Sequence, residues 1–208
     1  MKHTDIAWDF DGTLFDSYPH MFLAFKRALN ENGIYDSDDS ILSHMLVSVR
    51  DAAVFYQNEQ IDAPSLMKLY RTYGSPTDFN MVKPFDGMID LLKKVVDHGM
   101  RNHLYTHRGT SSLEYFDYFG LKDLFCEMIT AEDNYPLKPD PSALLHIIND
   151  NGIESQQLLM VGDRDIDCLA AKNAGAKSCF FNSNKLPVPE FVDYAVDDIE
   201  GLKAVLFS

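Results

Sequence analysis

Short apolar runs that end in polar residues alternate, along most of the chain, with segments whose apolar residues recur three and four positions apart. The runs have the length and composition of buried strands, and the longer segments have the spacing of helices with one apolar face. This alternation predicts an α/β fold in which helices flank a parallel sheet. The predicted strands cover residues 5–9, 102–106, 126–130, 158–163, 177–181 and 194–196.

Four of the helix-like segments follow these strands, and each of them closes on a glycine. Glycine readily adopts the left-handed backbone conformation that often ends a helix, so each glycine marks a predicted helix end. The four segments cover residues 86–99, 111–120, 141–152 and 166–175.

Residues 18–80 interrupt this alternation after the first strand. They contain segments with helical spacing, and the first of these opens with Ser17 and Pro19, which are favourable at a helix start. A connection of roughly sixty residues is far longer than the usual link between a strand and a helix. We therefore expect an all-helical cap, residues 18–80, inserted into a core of residues 1–17 and 81–208 and folded over it.

The chain has 208 residues and a formal net charge of −14, with its acidic residues spread along the sequence. It has no basic run, which argues against nucleic acid and anionic membranes as partners. Its three cysteines lie far apart without a C-x-x-C pair, a pattern typical of reduced thiols. No apolar segment approaches the length of a membrane span. We expect a cytoplasmic protein, either a monomer or a homodimer.

Polar residues with catalytic potential follow several of the predicted strands. The carboxyl ends of parallel strands lie at one edge of an open sheet, where ligands bind. Asp9 and Asp11 are two residues apart, which is unfavourable for two negative charges unless a metal ion, a turn or a reaction offsets the cost. We expect both to lie in a loop that solvent reaches. The candidate residues are Asp9, Asp11, Thr106, His107, Arg108, Lys138, Asp163 and Asp167.

These residues lie in segments that resemble the motifs of a known family. DFDGTLFDS at residues 9–17, Thr106 at a strand end, Lys138 before a proline and GDRDIDCLAAKNAG at residues 162–175 are similar, in order, to the four motifs of the haloacid dehalogenase-like hydrolase superfamily. The chain resembles its phosphoglycolate-phosphatase-like and beta-phosphoglucomutase-like branch, in which a helical cap lies between the first two motifs. The resemblance implies a Rossmann-like core and magnesium-dependent hydrolysis of a small phosphomonoester through an aspartyl-phosphate.

The resemblance gives different roles to the two acids after the first strand. Asp9 is the implied nucleophile, since a carboxylate can form a covalent phosphoryl intermediate. Asp11 is the implied general acid for the leaving oxygen and then the general base for water. Magnesium would be held by the Asp9 carboxylate, the Asp11 backbone carbonyl, Asp163 and the substrate phosphate. Manganese or cobalt would substitute, because oxygen ligands discriminate weakly among these ions.

The other motif residues are implied to handle the phosphate. Thr106 would donate a hydrogen bond to a phosphoryl oxygen, and Lys138 would neutralise charge on the phosphate and the nucleophile. Gly12 would let the backbone approach the phosphate closely. Asp167 would orient a bound water or Lys138 instead of binding the metal directly.

Two arginines and a histidine bear on the substrate. His107 and Arg108 directly follow Thr106, and Arg50 lies in VSVRDA, which is similar to the cap segment around the substrate-binding arginine of beta-phosphoglucomutase-like proteins. An arginine that faces the pocket would suit a substrate with a second anionic group besides the scissile phosphate. Alternatively, Arg108 caps the following helix or pairs with an acid of the cap.

Other functions share the same core. A sugar-phosphate mutase would transfer the phosphoryl group between hydroxyls, and a regulatory protein would bind a phosphoryl group without catalysis. A halide-cleaving enzyme is disfavoured, because the resemblance implies that its branch lacks the acid found here as Asp11. We expect a phosphatase, and an assay with and without magnesium separates the enzymes from the regulatory protein.

Overall fold

A computed structural model describes residues 2–75 and 78–208 of the chain. Its strands are β1 (Asp5–Trp8), β2 (Phe15–Asp16), β3 (Lys83–Pro84), β4 (Arg101–Tyr105), β5 (Phe125–Ile129), β6 (Leu158–Gly162), β7 (Lys177–Phe181) and β8 (Tyr194–Val196). Its helices are α1 (Tyr18–Asn30), α2 (Asp38–Val47), α3 (Val49–Tyr56), α4 (Ala63–Gly74), α5 (Met88–Asp97), α6 (Leu113–Tyr118), α7 (Ser142–Asn151), α8 (Asp165–Ala174) and α9 (Ile199–Phe207). Strands and α-helices alternate from β3 to β7. Within the described residues, four α-helices follow one another between β2 and β3, and no α-helix separates β1 from β2 or β7 from β8.

The chain divides into two compact units. The first consists of Met1–Asp16 and Pro84–Ser208, and the second is the intervening segment Ser17–Lys83. The predicted bounds of the inserted helical segment, residues 18–80, fall close to those of the second unit. The first unit is thus built from two separate stretches of chain.

A six-stranded sheet forms the centre of the first unit, with the strand order β5-β4-β1-β6-β7-β8. All neighbouring strands are parallel. Every residue of β1 and of β6 is buried, as is usual for the inner strands of a parallel sheet flanked by helices. The chain proceeds from β1 through β4 to β5 and then crosses to β6 on the other side of β1. The carboxyl ends of β1 and β6 therefore flank the switch in strand order, where such sheets bind ligands.

The predicted α/β fold with a Rossmann-like parallel sheet is confirmed, and the six predicted strands match β1 and β4 to β8 within one residue at each end. The two-residue strands β2 and β3 were not predicted, because they are too short to show a pattern. Helix α9 was also not predicted. It contains Gly201, which is a poor helix former. A side chain at Gly201 would approach the Cβ of Val196 to 2.8 Å, so close packing on β8 accounts for this glycine.

The second unit consists of α1 to α4 and has a hydrophobic core of its own. Its most buried members include Phe25, Leu29, Ile41 and Leu66, each 0% exposed. Side-chain oxygens cap the last three of these helices by accepting a backbone N–H three residues further on, as is common at helix starts. The capping residues are Ser37, Ser48 and Asp62.

Across the described ranges, none of the helices combines the length and the apolarity that crossing a membrane requires. The thiols of Cys126, Cys168 and Cys179 are all free, with Cys126 exposed and the other two buried.

Candidate active site

Asp9 extends β1 by one residue and is buried at its carboxyl end. Its backbone N–H donates to the carbonyl of Val161 on β6 at 2.9 Å, which holds it alongside the neighbouring strand. Its side chain is only 3% exposed, and Oδ2 has no hydrogen-bond partner among the described residues. The expectation of a solvent-reached loop is therefore wrong for Asp9, because the residue continues the strand and does not leave the sheet.

Three oxygen atoms surround the ammonium group of Lys138. Its Nζ lies 2.7 Å from Asp9 Oδ1, 2.7 Å from Asp167 Oδ1 and 2.8 Å from the carbonyl oxygen of Tyr105. Burial alone would lower the pKa of Lys138, but the carboxylates of Asp167 and Asp9 outweigh burial and raise the pKa. Lys138 is therefore a buried cation that donates hydrogen bonds to Asp9 and the Tyr105 carbonyl and forms an ion pair with Asp167.

Asp167 approaches Lys138 from the first turn of α8. Its Oδ2 accepts a hydrogen bond from the backbone N–H of Arg164 at 3.1 Å, while its Oδ1 contacts Lys138. The backbone of Gly162 passes so close that a Cβ there would overlap the Asp167 side chain. Both carboxylate oxygens are engaged within the protein, an arrangement suited to holding Lys138 in place.

Asp9, Asp163 and Asp167 form a buried cluster of carboxylates in which one oxygen of each lies within 4.8 Å of the others. Gathering carboxylates without enough positive charge is costly. Oxygen ligands of this kind are the ones that magnesium prefers. The donor set therefore fits a magnesium ion, as does the Asp9 Oδ2 atom, for which residues 2–75 and 78–208 offer no hydrogen-bond partner. The Asp11 carboxylate is not part of this cluster. The predicted metal ligand from Asp11 was its backbone carbonyl, so the position of its carboxylate does not bear on that prediction.

Asp11 forms an ion pair with Arg108. The Arg108 Nε atom lies 3.1 Å from Asp11 Oδ2, and the two side chains are 23% and 20% exposed respectively. Sequence reasoning considered a substrate anion, a helix end and an acid of the cap as partners of Arg108. It did not consider Asp11, because the pairing depends on side-chain directions across two strand ends.

Thr106 and His107 follow β4. Thr106 is 2% exposed, and its Oγ1 accepts a hydrogen bond from the backbone N–H of Arg108 at 3.1 Å. The His107 Nε2 atom accepts a hydrogen bond from the backbone N–H of Lys138 at 2.8 Å. An accepting Nε2 places the proton of a neutral imidazole on Nδ1. The His107 ring therefore supports the loop that carries Lys138.

Gly12 shapes the turn that follows Asp11. Its φ of 68° lies in the left-handed region, its N–H donates to the carbonyl of Phe15 at 2.9 Å, and its carbonyl accepts from Ser183 Oγ at 3.0 Å. The glycine therefore closes the turn with its own N–H. Arg50 is an exposed residue of α3 in the second unit.

Two contributors to this site, Tyr105 and Gly162, were missed from the sequence. Gly162 stands between the apolar part of β6 and Asp163, and a glycine at a strand end signals close approach by another part of the chain. That signal could have identified it. The Tyr105 carbonyl carries no signal in the sequence, because every residue has one.

A family model for haloacid dehalogenase-like hydrolases matches residues 6–181. This match spans most of the chain, including the candidate residues from Asp9 to Lys138, Asp163 and Asp167. The chain belongs to the haloacid dehalogenase-like hydrolase family. The predicted family and the prediction that the protein is an enzyme, a hydrolase, are confirmed.

The chain is also similar to curated relatives and to a solved structure. The pyrophosphatase PpaX of Halalkalibacterium halodurans is 24% identical, with 86% of this chain and 83% of the relative covered. The phosphoglycolate phosphatase of Pseudomonas fluorescens is 27% identical, with 95% and 77% covered. A structure of a predicted phosphoglycolate phosphatase from Haemophilus somnus has a TM-score of 0.84 at 20% identity and covers 99% of this chain and 98% of its own. The structural likeness supports the fold.

Proposed function

We propose that the protein is a magnesium-dependent phosphatase that hydrolyses a small phosphomonoester through a phosphoryl group carried on Asp9. The main support is the position of Asp9, which is buried at the switch point with Lys138 on one oxygen, while its other oxygen has no hydrogen-bond partner in the part of the chain that the structure describes. The two curated relatives named above are phosphatases for pyrophosphate and phosphoglycolate, which also favours a small phosphorylated substrate.

In the first step, a carboxylate oxygen of Asp9 forms a bond to phosphorus as the bond from phosphorus to the ester oxygen breaks. The protonated Asp11 gives its proton to that oxygen, so the product leaves as a neutral alcohol. Lys138 balances the charge on Asp9, and the Thr106 hydroxyl donates to a phosphoryl oxygen, since its own oxygen already accepts from Arg108. An aspartyl-phosphate and an alcohol result.

In the second step, Asp11 acts as a base. Its carboxylate takes a proton from water as the water oxygen bonds to phosphorus and the bond to Asp9 breaks. Inorganic phosphate leaves, Asp9 is again a carboxylate, and Asp11 again carries the proton needed for the next turnover. Asp9 is thus alternately phosphorylated and dephosphorylated, while Asp11 alternately gives and takes a proton.

Asp9 and Asp163, with the Asp11 backbone carbonyl, would hold the magnesium ion. Asp167 is proposed to orient Lys138, because both of its oxygens are already engaged by Lys138 and Arg164. When bound, the ion supplies positive charge that stabilises the transferring phosphoryl group. Manganese or cobalt is proposed as a weaker substitute.

The helical unit Ser17–Lys83 is proposed to act as the cap that selects the substrate, as the resemblance to this branch implies. Within it, Arg50 is proposed to bind a second anionic group of the substrate. Arg50→Ala should lower kcat/KM for phosphoglycolate and leave kcat/KM for a neutral-tailed ester unchanged. Equal losses for both esters would remove Arg50 from the substrate site.

We also propose that the enzyme works in the cytoplasm as a monomer or homodimer, without nucleic acid or a membrane as partner. The net charge of −14 and the free thiols support this proposal.

The decisive experiment is a panel of phosphomonoesters tested with wild type, Asp9→Asn and Asp11→Asn, each with magnesium and after exhaustive chelation. We expect phosphate release by wild type only when magnesium is present. Radiolabelled phosphate should be trapped as an acid-labile phosphoenzyme in wild type and not in Asp9→Asn. Activity that survives chelation, or turnover by Asp9→Asn at the wild-type rate, would contradict the proposal.

A further inference from the structure

The guanidinium of Arg108, which pairs with Asp11, also lies over two aromatic rings. The Arg108 guanidinium carbon lies 4.8 Å from the ring centre of Phe10 and 5.9 Å from that of Tyr115. The Phe10 ring in turn stacks on Phe15, with ring centres 4.3 Å apart. Stacking of a planar cation on aromatic faces restrains its orientation. The guanidinium therefore contacts aromatic rings on its face and pairs with Asp11 through its Nε atom.

The backbones of both residues are also restrained. The N–H of Arg108 donates to Thr106 Oγ1 at 3.1 Å, and its carbonyl accepts from the N–H of Ala131 at 2.8 Å. On the other side, the turn after Asp11 is closed by the 2.9 Å hydrogen bond from Gly12 to Phe15. The ion pair thus joins two rigid segments, one after β1 and one after β4.

We infer that Arg108 is a positioning residue for Asp11, an inference that rests on the proposed function. Arg108 engages Oδ2 at 3.1 Å. Oδ1 of the same carboxyl group is buried and has no hydrogen-bond partner among the described residues. With Oδ2 held by the arginine, Oδ1 is left as the oxygen that meets the substrate and the attacking water.

The same geometry determines which oxygen carries the proton. Arginine has N–H donors and no acceptor, and a protonated Oδ2 would accept from the Arg108 N–H more weakly than an unprotonated one. In protonated Asp11 the hydrogen therefore resides on Oδ1, and Oδ2 continues to accept from Arg108. Oδ1 gives this proton to the ester oxygen in the first step and receives one from water in the second. Arg108 neither gains nor loses a proton in either step.

If Arg108 positions Asp11, the effect of losing Arg108 on kcat/KM should depend on the leaving group. Other roles of Arg108 predict no such dependence. An alkoxide leaves poorly unless it is protonated, whereas 4-nitrophenolate is stable enough to leave without a proton. The parameter kcat/KM reports the steps up to the departure of the alcohol. A misplaced Asp11 therefore lowers kcat/KM for alkyl esters and spares the nitrophenyl ester.

The test compares Arg108→Ala and Arg108→Lys with wild type on three esters. Glycerol 3-phosphate is an alkyl ester without a second anionic group, phosphoglycolate is an alkyl ester with one, and 4-nitrophenyl phosphate has the good leaving group. Arg27→Ala is the matched control, because Arg27 makes the same kind of Nε–carboxylate pair with Glu31 at 2.8 Å and lies 4.1 Å from the Tyr73 ring centre.

We expect Arg108→Ala to lower kcat/KM for both alkyl esters by about 100-fold, the usual size of general acid–base assistance, and for the nitrophenyl ester by less than about 3-fold. Arg108→Lys should lie between Arg108→Ala and wild type, since its ammonium restores the charge without the planar fork. Arg27→Ala should match wild type on all three esters. Asp11→Asn should share the leaving-group pattern, and adding Arg108→Ala to it should cause little further loss.

Two patterns overturn the inference. A loss confined to phosphoglycolate would make Arg108 a receptor for the second anion, and equal losses on all three esters would make its role structural. If Arg108→Ala does not fold, as thermal unfolding would reveal, the same comparison made with Arg108→Lys decides. Failure of the proposed function is distinguishable, because wild type would then release no phosphate from any of the esters.

Discussion

A Cβ atom added to Gly162 would lie 2.3 Å from the Cβ of Asp167. Carbon atoms that are not bonded to each other do not approach this closely, so β6 and the first turn of α8 fit together only because residue 162 has no side chain. Asp167 in turn lies 2.7 Å from the Lys138 ammonium group. The absence of one methyl group thus helps to set the position of the buried cation next to Asp9.

Gly162→Ala should therefore displace Asp167 and Lys138. We expect a loss of about 1–3 kcal/mol in the free energy of unfolding, as in other overpacked sites. Activity should fall by about 100-fold, because small displacements in an active site have large effects on rate. Urea denaturation and steady-state kinetics measure the two effects. Gly74→Ala is the control, since its nearest neighbour would lie at an ordinary 3.6 Å. Equal behaviour of the two variants would show that the structure yields at Gly162.

Lys138→Met should lower both the activity and the free energy of unfolding. Without the ammonium group, Asp9 and Asp167 would be two buried carboxylates with no cation between them. Removing one partner from a buried ion pair costs about 3–5 kcal/mol. The rate should fall by more than about 100-fold through loss of transition-state stabilisation. The control is Lys122→Met, whose pair with Asp117 is exposed and should contribute little. A Lys138→Met protein as stable as wild type would contradict the charge balance described here.

Magnesium should stabilise the folded protein. A ligand at 100 times its dissociation constant adds about 2.7 kcal/mol to the free energy of unfolding. Thermal unfolding should therefore move upward as magnesium is added to wild type. Asp163→Asn should need a higher magnesium concentration for both the thermal shift and half-maximal activity. The neighbouring exposed acid offers a control, and Asp165→Asn should keep the wild-type magnesium response. Identical titrations for the two variants would exclude Asp163 as a ligand.

Asp5 should make stability depend on acid pH. Burial would raise the pKa of Asp5, but hydrogen bonds from His103, Arg101 and Thr4 together outweigh burial and hold the pKa below its usual value. A carboxyl group with a lowered pKa in the folded state contributes stability above its ordinary pKa of about 4, and this contribution is lost as pH falls through the folded-state pKa.

Asp5→Asn should consequently be less stable than wild type at pH 7, and the difference between the two should shrink as pH is lowered from 5 to 3. Urea denaturation at several pH values in this range measures the difference. A difference that stays constant over the range would show that Asp5 keeps its ordinary pKa in the folded protein.

Thiol reactivity should separate the three cysteines. Burial raises the pKa of the Cys179 thiol to about 12 and also raises that of Cys168. The thiolate is the reactive form, so neither should react with a disulfide reagent at pH 8 in the native protein. Cys126 is exposed and should react at once. Cys126→Ser should show no fast phase, and urea should release the two slow thiols. Fast labelling of Cys168 or Cys179 without denaturant would reveal opening of the first unit.

The strands could be located from the sequence because β1 and β6 are buried on both sides and so consist mainly of apolar residues, with Asp5 as the exception in β1. The strand ends then placed Asp9 and Asp163 near each other. The burial of Asp9 could not be inferred in this way. It depends on a hydrogen bond to Val161, which extends the pairing of the strands by one residue beyond the apolar run.

The contact between Asp11 and Arg108 is still harder to predict from the sequence. Sequence reasoning placed both residues at strand ends, but the identity of their partners depends on rotamers and on the aromatic rings beneath the arginine. The position of Arg50 in α3 followed from helical spacing, because its segment has apolar residues at helical intervals. Neighbourhoods can thus be predicted from pattern and topology, and individual side-chain partners cannot.

The construction of the first unit from two stretches of chain affects the order in which the protein can fold. Asp5 on β1 is paired with Arg101 on β4 and with Leu158 on β6. During synthesis, strand β1 therefore emerges long before either of its neighbours, since β4 follows only when about half of the chain has been made and β6 later still. Pairings between distant parts of a chain form slowly because closing a long loop costs entropy.

The helices of Ser17–Lys83 face no such delay, since their core residues lie within one continuous segment. The hydrophobic core of this unit can form during synthesis, before β4 and β6 are available to pair with β1. Once it has folded, it shortens the effective distance between β1 and β4, because a compact body replaces a long flexible loop. The helical insertion, which separates β1 from the other strands of the sheet along the chain, thereby lowers the entropy cost of pairing β1 with β4.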